Sequence, residues 1–271
     1  MKKIITLILV AAICACMALT ACEPAKNYVY KKVADVEADE FGIAMKLGDT
    51  TMETAVNAVI TEWKENGKMA EYFNYYSELA GDENATAPEG LQTTWEFAES
   101  GETLKMYTES GFAPYEFMLG TSVVGLDVAI MSQVAYNLGY KLQVVDVMFD
   151  VVIASMNNDT GYAVAAAGIS INEERQKNAL FSTPYAVSNL AIVSAEDKAY
   201  ETLASLDGLK IGVQEGTSGD FTVSDAIDEG EITGTVVQYK TYAAALAALK
   251  TGKIDAIFMD EVPAQLLVKN A

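Results

Sequence analysis

The sequence predicts an α/β fold, and three observations carry that reading. Strand-like and helix-like stretches alternate from Leu104 to the end of the chain, a spacing that builds βαβ units and largely parallel sheets covered by helices. About half of the 271 residues are apolar and only 21% are charged, enough for a buried core and too few charges for a disordered chain. The length corresponds to about two domains.

The elements follow in order. Tyr28 to Val33 and Phe41 to Met45 read as short strands. Thr51 and Glu53 open a helix in which Val56, Val59, Ile60 and Trp63 recur at helical spacing; Gly67 stops it, and a second helix runs through Tyr76. Residues 80–102 are acidic and poor in periodic apolar positions, a surface linker that Trp95 and Phe97 pin locally. Beyond it, strands are expected at 104–108, 141–147, 162–168, 190–194, 210–214, 235–239 and 255–259. Helices are expected at 126–138, 149–157, 218–228, 241–250 and 261–269.

Residues 1–22 carry Lys2 and Lys3, an apolar run from Ile4 to Val10 and then small residues, the composition of a secretory signal. Leu19-Thr20-Ala21-Cys22 resembles the bacterial lipobox, which implies a signal peptide over 1–21 and lipidation of Cys22 as the first mature residue. No later segment is apolar over the roughly 18 residues a membrane span requires.

Composition excludes several chemistries. A net charge of −20 argues against a nucleic-acid partner, whose phosphates need neutralising. The chain has no histidine, which removes Ser-His-Asp and Cys-His nucleophile systems and HExxH metal sites. Its cysteines are Cys14, Cys16 and Cys22, so no disulfide framework or thiol enzyme lies in the body. No metal site, cofactor or catalytic residue is expected.

Arg175 is the only arginine among 18 basic residues. A guanidinium grips a carboxylate with two parallel hydrogen bonds, which an ammonium cannot do. It follows Gly168 and Ser170, at the carboxyl end of an expected strand, where open α/β sheets bind ligands, and Asn172 is placed to cap a short helix. Gln214-Glu215-Gly216-Thr217-Ser218-Gly219 joins a strand to a helix start, an arrangement suited to an anion, and lacks the Gly-Lys-Ser/Thr of a phosphate loop. Asp260 closes a strand, where it can pair with an ammonium or cap the next helix. Phe112 and Phe149 follow strand ends and can sandwich a ligand or pack in the core.

At these residues the chain resembles the family 3 solute-binding proteins of ABC importers. "GISINEERQKNALFSTPY", "GVQEGTSGD", "ALAALKTGKIDAIFMDEVPA", "FAPYEF" and "VVGLDVAI" carry the resemblance over nearly all of 103–269. It implies a two-lobe periplasmic-binding-protein type II fold closing by a hinge on an amino-acid zwitterion. Arg175, helped by Thr217 and Ser218, would take the ligand carboxylate. Asp260, Ser170 and the Gly168 carbonyl would hold the ammonium, and Phe112 and Phe149 would flank the side chain. Glu109 and Gln214 would lie near its end, hinting at a polar or cationic ligand. The chain departs from the family at Ala129 and Ala163, where acidic residues are usual; both read as local changes in packing.

The family normally continues past the Asp260 region with a further strand, a hinge crossing and a final strand with two helices. Residues 28–76 resemble that piece, which implies a circular permutation. The division expected is a tether at 22–27, a lobe 2 strand at 28–34, lobe 1 at 39–79, a linker joining the usual termini at 80–99, lobe 1 again at 100–187 and lobe 2 at 188–271, with hinge crossings near 35–41 and 186–190. The resemblance implies a monomeric, extracytoplasmic lipoprotein, held to the membrane by its lipid and delivering a free L-amino acid to an ABC permease. A sensing module without import, or a dehydratase-like enzyme derived from the fold, are the competing readings.

Overall fold

A computed structural model describes residues 27–270 apart from 100 and 199. The signal sequence and Cys22 lie outside the described residues.

Along the chain, β1 (Tyr28–Lys32), β2 (Asp39–Phe41) and β3 (Ala44–Met45) lead into α1 (Thr50–Glu65) and α2 (Lys68–Gly81). Then come β4 (Thr103–Thr108), a three-stranded meander β5 (Gly111–Phe112), β6 (Glu116–Leu119) and β7 (Ser122–Val124), and α3 (Leu126–Leu138). β8 (Lys141–Asp146), α4 (Val152–Asn158), β9 (Tyr162–Ala165), α5 (Glu173–Gln176), β10 (Leu180–Phe181) and β11 (Ala186–Ser188) follow. The remainder is β12 (Leu190–Ala195), β13 (Leu209–Gln214), α6 (Ser218–Asp228), β14 (Gly234–Tyr239), α7 (Tyr242–Lys250), β15 (Ala256–Asp260) and α8 (Glu261–Lys269).

These strands build two five-stranded sheets, ordered β10-β3-β9-β4-β8 in lobe 1 and β1-β12-β15-β13-β14 in lobe 2. Within each, the strands joined by helical crossovers run parallel: β4 beside β8 and β9, and β13 beside β14 and β15. The sheets are mixed rather than largely parallel. β3 and β12 enter directly after the chain has passed between lobes, with no helical crossover to turn them, and both lie antiparallel to a neighbour. β1 pairs antiparallel with β12, with Tyr28 opposite Ala195. Between the lobes β2 and β11 form a two-stranded ribbon, with Ser188 opposite Asp39.

Lobe 1 draws its core from both ends of its sequence. Asp49 caps α1 by accepting from Met52 N at 3.1 Å, and Met52, Val56, Val59, Ile60 and Trp63 form its buried face. Trp63 stacks on Tyr72 of α2 at 4.3 Å. Burying an aromatic of this size removes about 150–250 Å² from water, worth at most about 4–6 kcal/mol before entropy is counted. Both helices pack on α3. The expected linker starts later than 80, because α2 continues to Gly81. It lies against lobe 1: Tyr72 Oη donates to Gln92 O at 2.6 Å and Trp95 Nε1 to Gln133 Oε1 at 3.2 Å. Ala129 and Ala163 are both buried in the core, where small side chains fit.

Three expected elements are corrected, the first being the strand expected from Phe41 to Met45, which is split into β2 on the ribbon and β3 in the lobe 1 sheet. The strand expected at 162–168 ends at Ala165, because the chain leaves the sheet to meet β2: Gly42 N donates to Ile169 O and Ile171 N to Glu40 O. The helix expected at 149–157 opens with a tight 3₁₀ turn over Phe149–Val151, and its α part runs to Asn158. The short strands β5–β7, β10 and β11 were not expected, since two to four residues carry no readable alternation.

Candidate functional site

The strand ends of both lobes converge on one cleft. Phe112, Phe149, Gly168 and Ser170 come from lobe 1, and Gln214, Thr217, Ser218 and Asp260 from lobe 2; with Ala167 they line a narrow cavity of about 10 Å³. Of the ten residues singled out for the cleft, eight line it. Glu109 is buried beside it, and Arg175 borders the wider pocket of about 360 Å³ that lies on the other side of Phe149.

Arg175 owes its position to α5. Asn172 caps that short helix, its Oδ1 accepting from Arg175 N at 2.8 Å. The guanidinium then turns inward: Nη1 donates to Ser170 O at 2.7 Å and Nη2 to Gly216 O, across the cleft, at 2.9 Å. Its carbon lies 5.4 Å from the centre of the Phe149 ring, a cation–π distance. Burial lowers its pKa to about 10, against the pull of Asp39 and Asp260, and the group stays charged at neutral pH.

Asp260 sits at the end of β15, with its side chain making no capping bond to α8. Its Oδ1 is buried without a partner. Burial, reinforced by the charge of Asp39, pushes its pKa up to about 7, while Ser188 and Arg175 pull the other way. A buried carboxyl oxygen without a donor invites a cation.

Thr217 caps α6: its hydroxyl donates to Gln214 O at 2.8 Å and accepts from Asp220 N at 3.2 Å. That occupation fixes the loop and leaves Ser218 as the hydroxyl facing the other lobe, where Ser170 Oγ donates to Ser218 Oγ at 3.3 Å. Gln214 is buried, with Nε2 donating to Lys240 O at 3.0 Å. Burial raises the pKa of Glu109, helped by Asp146 and opposed by hydrogen bonds from the Gln214 side chain and the Gly111 backbone.

Gly168 has φ +53°, and a Cβ there would stand 2.5 Å from the Phe112 ring. Only glycine lets the backbone pass beside that ring without displacing it.

Two residues at the site were missed. Asp39, on the ribbon strand β2, accepts a hydrogen bond from Ser218 Oγ and is the largest favourable charge acting on Arg175. Nothing local marks it, since a three-residue strand between lobes has no pattern. Tyr242, fully buried at the start of α7, lies 6.1 Å from Phe112 in a stacked arrangement. Its place after the carboxyl end of β14 was a usable signal.

Lys240 links the lobes at the cleft rim, 2.9 Å from Asp150 and 2.7 Å from Glu215. All three side chains are partly exposed, so the contribution is small. Lys240→Ala is expected to lower stability only slightly at low salt, with the difference vanishing at high salt. Thermal unfolding across an ionic-strength series measures this, and a salt-independent loss would contradict it.

Two α/β lobes joined by a paired ribbon, with a cavity lined from both lobes between them, define the periplasmic type II architecture. The chain belongs to the bacterial extracellular solute-binding proteins, family 3, whose sequence profile matches residues 104–217. It is 29% identical over 164 residues to ABC transporter arginine-binding protein 1 of Escherichia coli (strain K12), covering 60% of this chain and 65% of that protein. It is 27% identical over 170 residues to the histidine-binding periplasmic protein of Salmonella typhimurium, covering 62% and 64%. The chain thus spans just under two thirds of these curated relatives. Among solved structures, an ancestral arginine-binding protein bound to arginine matches with a TM-score of 0.58 and 30% identity, over 62% of this chain and 74% of the other. The holo arginine-binding protein of T. maritima matches with a TM-score of 0.57 and 32% identity, over 62% and 73%. The ancestral amino acid-binding protein AncCDT-1, a precursor of cyclohexadienyl dehydratase, shares the fold at 23% identity and a TM-score of 0.53.

Proposed function

We propose that this chain is an extracytoplasmic receptor that captures a free L-amino acid between its lobes and delivers it to an ABC permease. One observation carries the reading: a buried guanidinium and a buried carboxyl with one unpartnered oxygen stand where the lobes meet, Asp260 of lobe 2 lining the cavity and Arg175 of lobe 1 beside Phe149 in the pocket that adjoins it. That pairing complements a zwitterion. The ligand carboxylate meets Arg175 and the Ser218 end of α6, and its ammonium meets Asp260, Ser170 and the Gly168 carbonyl. Phe112 and Phe149 flank the side chain, whose far end reaches Glu109 and Gln214. These buried groups favour a polar or cationic side chain, in keeping with the arginine- and histidine-binding relatives. Capture works by hinge closure about β2 and β11, and release returns the ligand unchanged, so the chain is a binder and not an enzyme. It acts as a monomer, tethered through lipid on Cys22.

The chain order is read as a circular permutation. In its support, residues 28–81 contribute β1 to lobe 2, β2 to the ribbon, and β3, α1 and α2 to lobe 1. Long reconnecting loops cost little, each doubling of length adding about 0.6 kcal/mol.

A thermal-shift panel of the twenty amino acids tests the reading. A true ligand at 100 times its Kd adds about 2.7 kcal/mol of stability, a shift of roughly 5–10 °C at this size. No shift with any of them would sink it. Mass spectrometry of the recovered ligand separates capture from turnover.

A further inference from the structure

The first turn of α3 lies across the chain that joins β5 to β6. Leu126 N donates to Pro114 O at 3.1 Å and Asp127 N to Tyr115 O at 3.0 Å. Gly125 permits this approach: with φ +142°, a Cβ there would come 2.1 Å from Tyr115 O. The contact brings two carboxyl side chains into one interior, Glu116 of β6 and Asp127 of α3, both with no solvent exposure. Asp127 Oδ2 accepts the Gly168 N–H at 3.1 Å. The two Glu116 oxygens have no donor, and Asp127 Oδ1 has only the Tyr185 hydroxyl near it. The titratable groups acting on the pair are Glu109 and Asp146, beyond β4 and at the end of β8, with Tyr185 from the segment after β10; Tyr115 lies within the same cluster. None is a cation. Two buried carboxylates in such surroundings cannot both stay ionised at reasonable cost.

We propose that Glu116 and Asp127 share one proton in the folded protein, and that this pair positions Gly168, whose carbonyl faces the proposed ligand ammonium. The second half rests on the receptor reading of the cleft; the first stands without it. Glu116, as the acid, donates its O–H to the Asp127 carboxylate, which keeps its other oxygen on the Gly168 amide. Burial raises Glu116 well above the ordinary range, and the neighbouring Asp127 charge adds to this. Burial lifts Asp127 only to about 6, against hydrogen bonds from Tyr185 and Gly168. The loop is thereby held between Phe112 on one side and a carboxylate on the other. Asp127 is a positioning residue in the way that partners behind a ligating group orient it.

Infrared spectroscopy of the ligand-free full chain tests the proton, at about pH 8 so that Asp260, which titrates near 7, is ionised. A protonated-carboxyl stretch is expected in the parent and is lost in Glu116→Gln, whose amide donates to Asp127 in the proton's place. The same spectrum from both proteins, or no such band in the parent, overturns the shared proton whether or not any amino acid binds. Positioning is tested by titration with L-arginine. Asp127→Ala is expected to weaken binding roughly tenfold or more, while Asp127→Asn, which keeps an acceptor for Gly168, restores it. Unchanged affinity in Asp127→Ala overturns the positioning role. Should the band behave as expected while no amino acid binds the parent, the shared proton stands and the receptor reading falls.

Discussion

Arg175→Ala is expected to weaken binding of the amino acid found in the thermal-shift panel by at least about 100-fold, since stripping one partner from a buried ion pair costs roughly 3–5 kcal/mol. The side chain is buried, and its fork already ties the two lobes through Ser170 O and Gly216 O. Its loss removes both the ligand's anion partner and a bond between the closed lobes. Arg175→Lys keeps a charge but not the planar fork, and is expected to recover only part of the affinity. Isothermal titration of parent and both variants reads the effect, with circular dichroism to show that each is folded. Parent-like affinity in the alanine variant would exclude the ligand pose.

Proton release on binding is the second large effect, and it originates at Asp260. In the ligand-free cleft burial pushes its carboxyl up to about 7, so the group exchanges its proton around neutral pH. An incoming ammonium favours the ionised form and expels the proton. Affinity for an amino acid is therefore expected to fall as the pH drops below 7, approaching tenfold per unit. Asp260→Asn should bind weakly with a flat profile between about pH 5 and 8. Titration in two buffers of different ionisation heat counts the released protons; equal heats would refute the linkage. Stability of the empty protein runs the opposite way. The folded-state pKa lies above the unfolded value of 3.8, so the folded state holds more protons between about 4 and 7. This group's contribution is greatest below about 4 and is lost as the pH rises through 7.

Much of the fold was legible because long elements carry long patterns. The α1 face from Val56 to Trp63 repeats over two turns, and the expected span of α3 is the one observed. The cleft was legible where a residue stood out by place: a glycine after a strand and an acid ending β15, with the lone arginine in the adjoining pocket. What stayed hidden depends on contacts distant in sequence. Asp39 reaches Ser218 across 179 positions, and neither end reveals the other. The partnership of Asp127 with Gly168 is likewise long-range, spanning 41 positions. Short strands such as β10 and β11 exist only because the ribbon and β3 are there to pair with them.

The pairing of β1 with β12 has a consequence for biogenesis. Tyr28 waits for Ala195, so β1 meets its neighbour only after the chain as far as β12 has been made. Until then its backbone donors and acceptors lie open, a condition that favours mispairing and slow, non-local assembly. The nascent chain should therefore settle its helical first half early and seal the second sheet last.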